Sequence, residues 1–231
     1  MKRFYKRADY RAEDEGFAIT LDDRRVRTPA KAFLDVPFEA LARAIAGEWA
    51  AQGEEIAPDA MPLTRLANTA IDRVVGRKSE VVDEITRFAE TDLLCCRADG
   101  PDSLVARQNE SWQPLIEWAN ERHGARLAVT SGVLPVTQDD TAVAALRAAV
   151  DAFCPFAVTG LHGVITATGS VVVGLAVAEH RLSPDQAWSV SQIDEDFQAE
   201  KWGEDEEAME AQARKRTEMM DAVRFLRLCL G

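Results

Sequence analysis

The stretch Phe33-Leu34-Asp35-Val36-Pro37-Phe38-Glu39-Ala40-Leu41-Ala42-Arg43-Ala44-Ile45-Ala46-Gly47-Glu48-Trp49 changes period part-way along. Phe33 to Val36 reads as a short strand. After Pro37 the apolar residues Phe38, Leu41, Ile45 and Trp49 recur at helical spacing until Gly53 stops them. Upstream the pattern is strand-like. Phe17, Ile19 and Leu21 alternate with Ala18 and Thr20, Asp22-Asp23 turns the chain into Arg24-Arg25-Val26-Arg27, and Thr28-Pro29 closes that strand. Downstream it is helical almost to the end. The chain is therefore expected to be α+β: a small β-rich N-terminal domain over residues 1–62, then a larger, mostly α-helical orthogonal bundle over residues 63–231. The boundary falls somewhere between Pro37 and Ser79.

A linker with Pro58 and Pro62 leads to a second helix whose buried face carries Leu63, Leu66, Ala67, Ala70, Ile71 and Val74. Ser79 is placed to cap a third, with Val82, Ile85, Phe88 and Ala89. After the break at Gly100-Pro101-Asp102 comes a helix through Trp112, Leu115, Ile116 and Trp118, in which Pro114 predicts a kink or a boundary. Leu127-Ala128-Val129 reads as a short strand or loop, and Thr137 to Phe153 as a helix with Val143, Leu146 and Val150 on one face. Phe156 to Ala178 is the one membrane-like run. Its glycines, threonines and His162, with a stop and cap at Gly169-Ser170, make it a buried helical hairpin instead. Ser183-Pro184-Asp185-Gln186 spells a capping box for a helix with Ala187, Val190, Ile193 and Phe197 on one stripe, and a terminal helix runs from about Glu204 to Leu230.

The 231 residues carry a formal charge of −12, which argues against nucleic acid or an anionic membrane as partner. Cys95 and Cys96 are adjacent while Cys154 and Cys229 stand alone, so neither a disulfide frame nor a C-x-x-C zinc site is indicated, and a reducing compartment is expected. Gly160-Leu161-His162-Gly163 lacks the Lys-Ser/Thr of a phosphate loop, and Gly169-Ser170 lacks the second glycine of a nucleophile elbow. His123, His162 and His180 form no helical metal pair. No cofactor and no metal are expected.

What remains unexplained is Ile193-Asp194-Glu195-Asp196-Phe197-Gln198-Ala199-Glu200-Lys201-Trp202-Gly203-Glu204-Asp205, acidic yet punctuated by large aromatics. On a helix running on from Ser183, Asp194 falls inside the apolar arc with Gln198 beside it, whereas Glu195, Asp196 and Glu200 point elsewhere. A partly buried carboxylate needs a partner, and Trp is favoured at binding hot spots. Asp194, Glu195, Gln198, Glu200 and Trp202 are therefore the candidate partner-binding residues, with a core anchor for the loop before Gly203 as the other reading of Trp202. The competing functional readings are an acid/base hydrolase using Asp194 and neighbouring carboxylates, and a general acidic protein-interaction module.

Four blocks in order carry a family resemblance: Gly16 to Arg24 with Thr28-Pro29; Leu41 to Gln52, containing Trp49; Met61 to Leu66 with Thr69 to Asp72; and Asp194 to Gln198 with Trp202-Gly203. Together they resemble the ATP synthase assembly chaperones of the Atp-twelve family, or assembly factor two. The resemblance implies a non-enzymatic chaperone that binds the free α subunit of the F-type ATP synthase catalytic sector until the β subunit replaces it, and the chain is expected to be a monomer. It implies a functionally sensitive acid at Asp194 and structural roles for Trp49 and Gly203. With no long presequence before Met1, it resembles a bacterial, cytoplasmic member.

Overall fold

Asp22 and Asp23 both adopt positive φ, 46° and 68°, the conformation that lets a two-residue turn follow the right-handed twist of a hairpin. The turn joins strand β2 (Gly16–Leu21) to β3 (Arg24–Arg25), and a second tight turn at Asp14-Glu15 joins β2 to β1 (Ala8–Glu13). The Asp22 carboxylate accepts from the backbone N–H groups of Lys6 and Arg7, which hold it below the usual carboxylate range. With β4 (Asp35–Val36), also paired to β2, the strands form a four-stranded antiparallel sheet. Because β1 covers one edge of β2 and β3 and β4 share the other, β2 is central. Its last four residues, Ala18 to Leu21, are all buried, although the alternation in the sequence suggested one buried face.

The computed structural model describes residues 1–132, 136–203 and 205–231. It divides into two compact units: Met1–Lys78 with Cys154–Gly160 and Arg224–Gly231, and Ser79–Phe153 with Leu161–Val223. The chain is α+β as expected, a small sheet first and helices after it.

In the first unit, α1 (Glu39–Ala50) lays Leu41, Ala42, Ile45 and Ala46 on the sheet. Its Glu48 then organises α2 (Pro62–Thr69). The carboxylate accepts from Leu63 N and Thr64 N, both at 2.8 Å, and from Thr64 Oγ1 at 2.7 Å, so a side chain distant in sequence caps the helix. Beyond Thr69 the chain winds one π-turn, Ala70–Val74. Tyr5, Leu21, Ile56 and Met61 make a small cluster on which Trp49 packs, its ring 5.8 Å from that of Tyr5. Phe156 and Phe225 stack at 6.4 Å.

The second unit begins at Ser79, within α3 (Lys78–Thr86). Ser79, read as its cap, lies inside its first turn, where its Oγ accepts from Arg147 Nη2. A two-stranded parallel pair, β5 (Cys96–Arg97) with β6 (Thr130–Ser131), puts the strand just beyond Leu127-Ala128-Val129. Helix α4 (Asp102–His123) continues past Pro114, which is therefore no helix boundary, and ends at Gly124, which is left-handed at φ 73°. Then come α5 (Asp140–Asp151), α6 (Pro155–Thr168), α7 (Val171–Ala178), α8 (Pro184–Ser191), α9 (Ile193–Trp202) and α10 (Glu206–Leu230). Glu204, where the last helix was expected to start, lies outside the described residues.

The α6–α7 hairpin is buried as read, broken by Gly169 and capped by Ser170, with all eight residues of α7 buried. Asp92 completes that cap from a distance: Oδ2 accepts from Val171 N at 2.8 Å and Val172 N at 3.3 Å, while Oδ1 accepts from Leu94 N. Glycines admit α10 against α6. A Cβ on Gly163 would meet Ala222 Cβ at 2.6 Å, and one on Gly160 would meet Leu226 Cβ at 2.9 Å. Among the described residues no helix is long and apolar enough to cross a membrane.

Candidate functional site

The capping box at Ser183 and Gln186 forms as the sequence spelled it. The helix it starts does not continue to Phe197, however, and ends at Ser191. The cause comes from α4. Trp112 Nε1 donates to the Val190 carbonyl at 2.9 Å, the acceptor that Asp194 N would need in an unbroken helix. Ser191 Oγ turns back to the Trp188 carbonyl at 2.8 Å, and Gln192 leaves helical geometry at φ −111°, ψ 11°. A new helix, α9, begins at Ile193, so the single stripe expected through Ala187, Val190, Ile193 and Phe197 is two stripes on two helices.

This break re-aims the acids. Asp194 sits half-buried in the first turn of α9, facing α4, and its Oδ1 accepts from Gln108 Nε2 at 2.5 Å. Gln108 is buried, and its Oε1 in turn accepts from Ala98 N at 2.9 Å. The carboxylate thus rests on a neutral amide, at a helix end whose dipole favours negative charge. Glu200 also turns to α4, where Arg107 holds it through paired bonds of 2.7 and 2.8 Å and keeps it below the usual carboxylate range. The same guanidinium lies 5.4 Å from the Phe197 ring centroid, and Phe197 is buried.

On the other side of α9, Glu195, Gln198 and Trp202 line one groove of about 520 Å³ with Trp188 and Met209, between α8, α9 and α10. Trp202 is 79% exposed, which rules out the core-anchor reading. Glu195 makes no ion pair among the described residues, while Arg216 on the far wall is taken by Asp185 at 2.7 Å. Asp196 joins the groove, its carboxyl raised by partial burial and by the charge of Glu200. Gly203 ends α9 at φ 89°, its N–H donating to the Ala199 carbonyl, and so turns the chain into the wall of the groove.

The structure therefore unites Glu195, Gln198, Trp202 and Gly203, and parts them from Asp194 and Glu200. Trp49 belongs to the first unit, where its carbonyl accepts from Tyr5 OH at 2.6 Å. Sequence reading missed Gln108, Trp188 and Met209. For Gln108 a signal existed: it stands four residues from both Leu104 and Trp112, on the buried stripe of α4.

The chemistry available here is recognition of a cationic, partly apolar surface. Among the described residues no three His, Cys, Asp or Glu side chains gather into a metal-binding group. Cys95 is buried, and burial pushes its thiol up to about 12, which leaves no thiolate at neutral pH.

The profile of the ATP12 chaperone protein family matches residues 2–120. This chain belongs to the ATP12 chaperone family. The fission yeast Schizosaccharomyces pombe has a relative named Protein atp12, mitochondrial, 23% identical over 221 residues, covering 90% of this chain and 76% of that protein. The crystal structure of Atp12 from Paracoccus denitrificans is 46% identical with a TM-score of 0.96, covering 99% of this chain and 98% of that one. An aspartate-to-lysine mutant of P. denitrificans Atp12p matches as well, at 45% identity and TM-score 0.96 over 99% and 97% of the two chains. Membership assigns the chain to the chaperones of ATP synthase assembly. The family profile ends within α4, so the groove of this ATP12-family chain is matched through the whole-chain likeness to the solved structures.

Proposed function

We propose that this protein is a non-enzymatic chaperone for the free α subunit of the F-type ATP synthase catalytic sector, and that the groove of α8, α9 and α10 is its client-binding surface. The observation that carries the reading is Trp202: a 79% exposed indole beside Glu195 and Asp196 in one concavity. A large aromatic left in water suits an interface, where its burial supplies affinity. The acids speed encounter with basic groups and set register. A subunit interface waiting for its neighbour is apolar enough to aggregate. Covering it needs only a competing surface, and release follows when the β subunit offers a larger one.

Asp194 has a different part in this scheme. Through Gln108 it fixes the pose of α9 and hence the aim of Glu195, Gln198 and Trp202. Asp194→Lys would remove the acceptor of a buried amide and set a cation at a helix N-terminus.

The test is co-expression with the α subunit in the absence of β, measuring how much α stays soluble and co-purifies. The expected result is soluble α subunit with wild type, and loss of it with the double variant Glu195→Lys, Trp202→Ala, whose melting stays near wild type. Retention of the client by that double variant refutes the groove. Capture of many unrelated basic proteins by wild type would instead favour a general acidic module.

A further inference from the structure

The first unit carries a second concavity whose chemistry is the reverse of the groove. It has a volume of about 1000 Å³ and lies between the segment after β3 and the helical stretch from α2 through the π-turn. Arg27 lines it from the segment after β3, Arg65, Asp72, Arg73 and Arg77 from the helical stretch, and Trp49 from α1. Four arginines and two acids line it, on a chain whose net charge is −12. Of the acids, Asp72 is committed inward: Oδ1 accepts from Thr28 Oγ1 at 2.6 Å and Oδ2 from Ala30 N at 3.1 Å. Arg65 and Arg73 are exposed, and neither makes an ion pair among the described residues. Arg27 lies over the Phe33 ring at 4.2 Å and donates to the Lys31 carbonyl, which braces its guanidinium in place.

Two features decide the shape of the occupant. A compact anion such as phosphate prefers a helix N-terminus, but at α2 that place is filled by the Glu48 carboxylate. The arginines are strung out instead. Arg65 lies in α2, Arg73 in the π-turn and Arg77 in the turn that follows, so the three charges are spread along the stretch and not gathered at one helix end. Charges set out in that way suit an extended chain better than a compact anion. The π-turn beneath them, Ala70–Val74, is a winding that proteins concentrate at functional sites.

We infer that this concavity binds an acidic, extended segment of a protein partner. Its carboxylates pair with Arg65, Arg73 and Arg27, and its apolar side chains lie toward Trp49. Arginine suits this role because its fork meets a carboxylate through two hydrogen bonds. The inference stands apart from the α-subunit reading, since it uses no residue of the groove.

The experiment is fluorescence anisotropy of the full chain with a labelled eight-residue peptide of glutamates interrupted by two leucines, at low salt. Binding is expected to weaken at least tenfold in Arg65→Glu, Arg73→Glu, to weaken in the milder Arg65→Gln, Arg73→Gln, and to fall with added salt. It should be unchanged in the groove variant Glu195→Lys, Trp202→Ala. A control with the same charge change elsewhere, Arg7→Glu, Arg11→Glu, should bind as wild type does. If that control loses binding equally, the attraction is diffuse and the inference is overturned. It is also overturned if inorganic pyrophosphate displaces the peptide at equal concentration of charge, which would mark a compact-anion site. Salt-sensitive self-association lost in Arg65→Glu, Arg73→Glu, with no peptide binding, would replace the partner by a second copy of this chain.

Discussion

Asp92 is fully buried at the start of α7, and burial pushes its carboxyl from 3.8 up to about 6, against the pull of donors from Ser170, Leu94, Val172 and Val171. Unfolding returns the group to its ordinary value. Between the two values the folded chain holds a proton that the unfolded chain has lost. Stability from this group is therefore fully present below about pH 4 and is lost as pH rises through about 6. The whole gap is worth about 3 kcal/mol, and between about pH 5 and about pH 7.5 roughly 1.4 kcal/mol of it disappears. Asp92→Asn cannot titrate, so the difference in unfolding free energy between wild type and variant isolates this group from all others. The variant is destabilised throughout, by about 1–3 kcal/mol, because its amide nitrogen faces backbone N–H groups that need an acceptor. Urea unfolding followed by circular dichroism across that pH range gives the difference directly. Wild type should lead by about 1.4 kcal/mol more at the acid end, or about 3–6 °C in a thermal melt of a chain this size. A lead that stays level, or that grows with pH, would refute a protonated Asp92 and show that its donors keep it charged.

Gly160→Ala should cost about 1–3 kcal/mol, because the new Cβ would lie 3.0 Å from backbone atoms of Leu226, which have no rotamer to yield; an unchanged melting temperature would show that α6 and α10 have slack. Glu48→Ala should cost about 2–4 kcal/mol by leaving the first N–H groups of α2 without an acceptor, and a loss under about 0.5 kcal/mol in urea titration would mean that water replaces the carboxylate. Trp202→Ala should leave melting within about 1–2 °C of wild type while lowering α-subunit recovery; a large fall in melting temperature would restore it to the core.

How much of this was legible follows the range of the forces involved. The turn at Asp22-Asp23, the box at Ser183 and Gln186, and the stop at Gly169-Ser170 rest on contacts within a few residues, and each formed where it was read. Ser79 was misread because its hydroxyl serves Arg147, a residue of another helix. The continuous helix through Asp194 was misread for the same kind of reason: Trp112 takes the Val190 carbonyl from a distance of 78 residues in sequence. The acidic segment was recognised as the part needing explanation, but which acids share a surface depended on where α9 starts. Trp202 could be placed outside the core only once Gly203 and α10 were seen beside it.

From its residues alone the chain declared its class, the change from strand period to helix period after Pro37, and the caps at Ser170 and Ser183. Periods and those two caps are local, because each side chain involved acts on backbone within about one turn. The tertiary structure decided that β2 is buried on both faces, that Asp194 answers to Gln108, that Glu195 and Trp202 share a groove, and that Arg27 shares a concavity with Arg65 and Arg73. Those outcomes join side chains far apart in the sequence, and no window along the chain holds both members of such a pair. They exist only after packing has fixed which carbonyl, carboxylate or guanidinium each side chain meets.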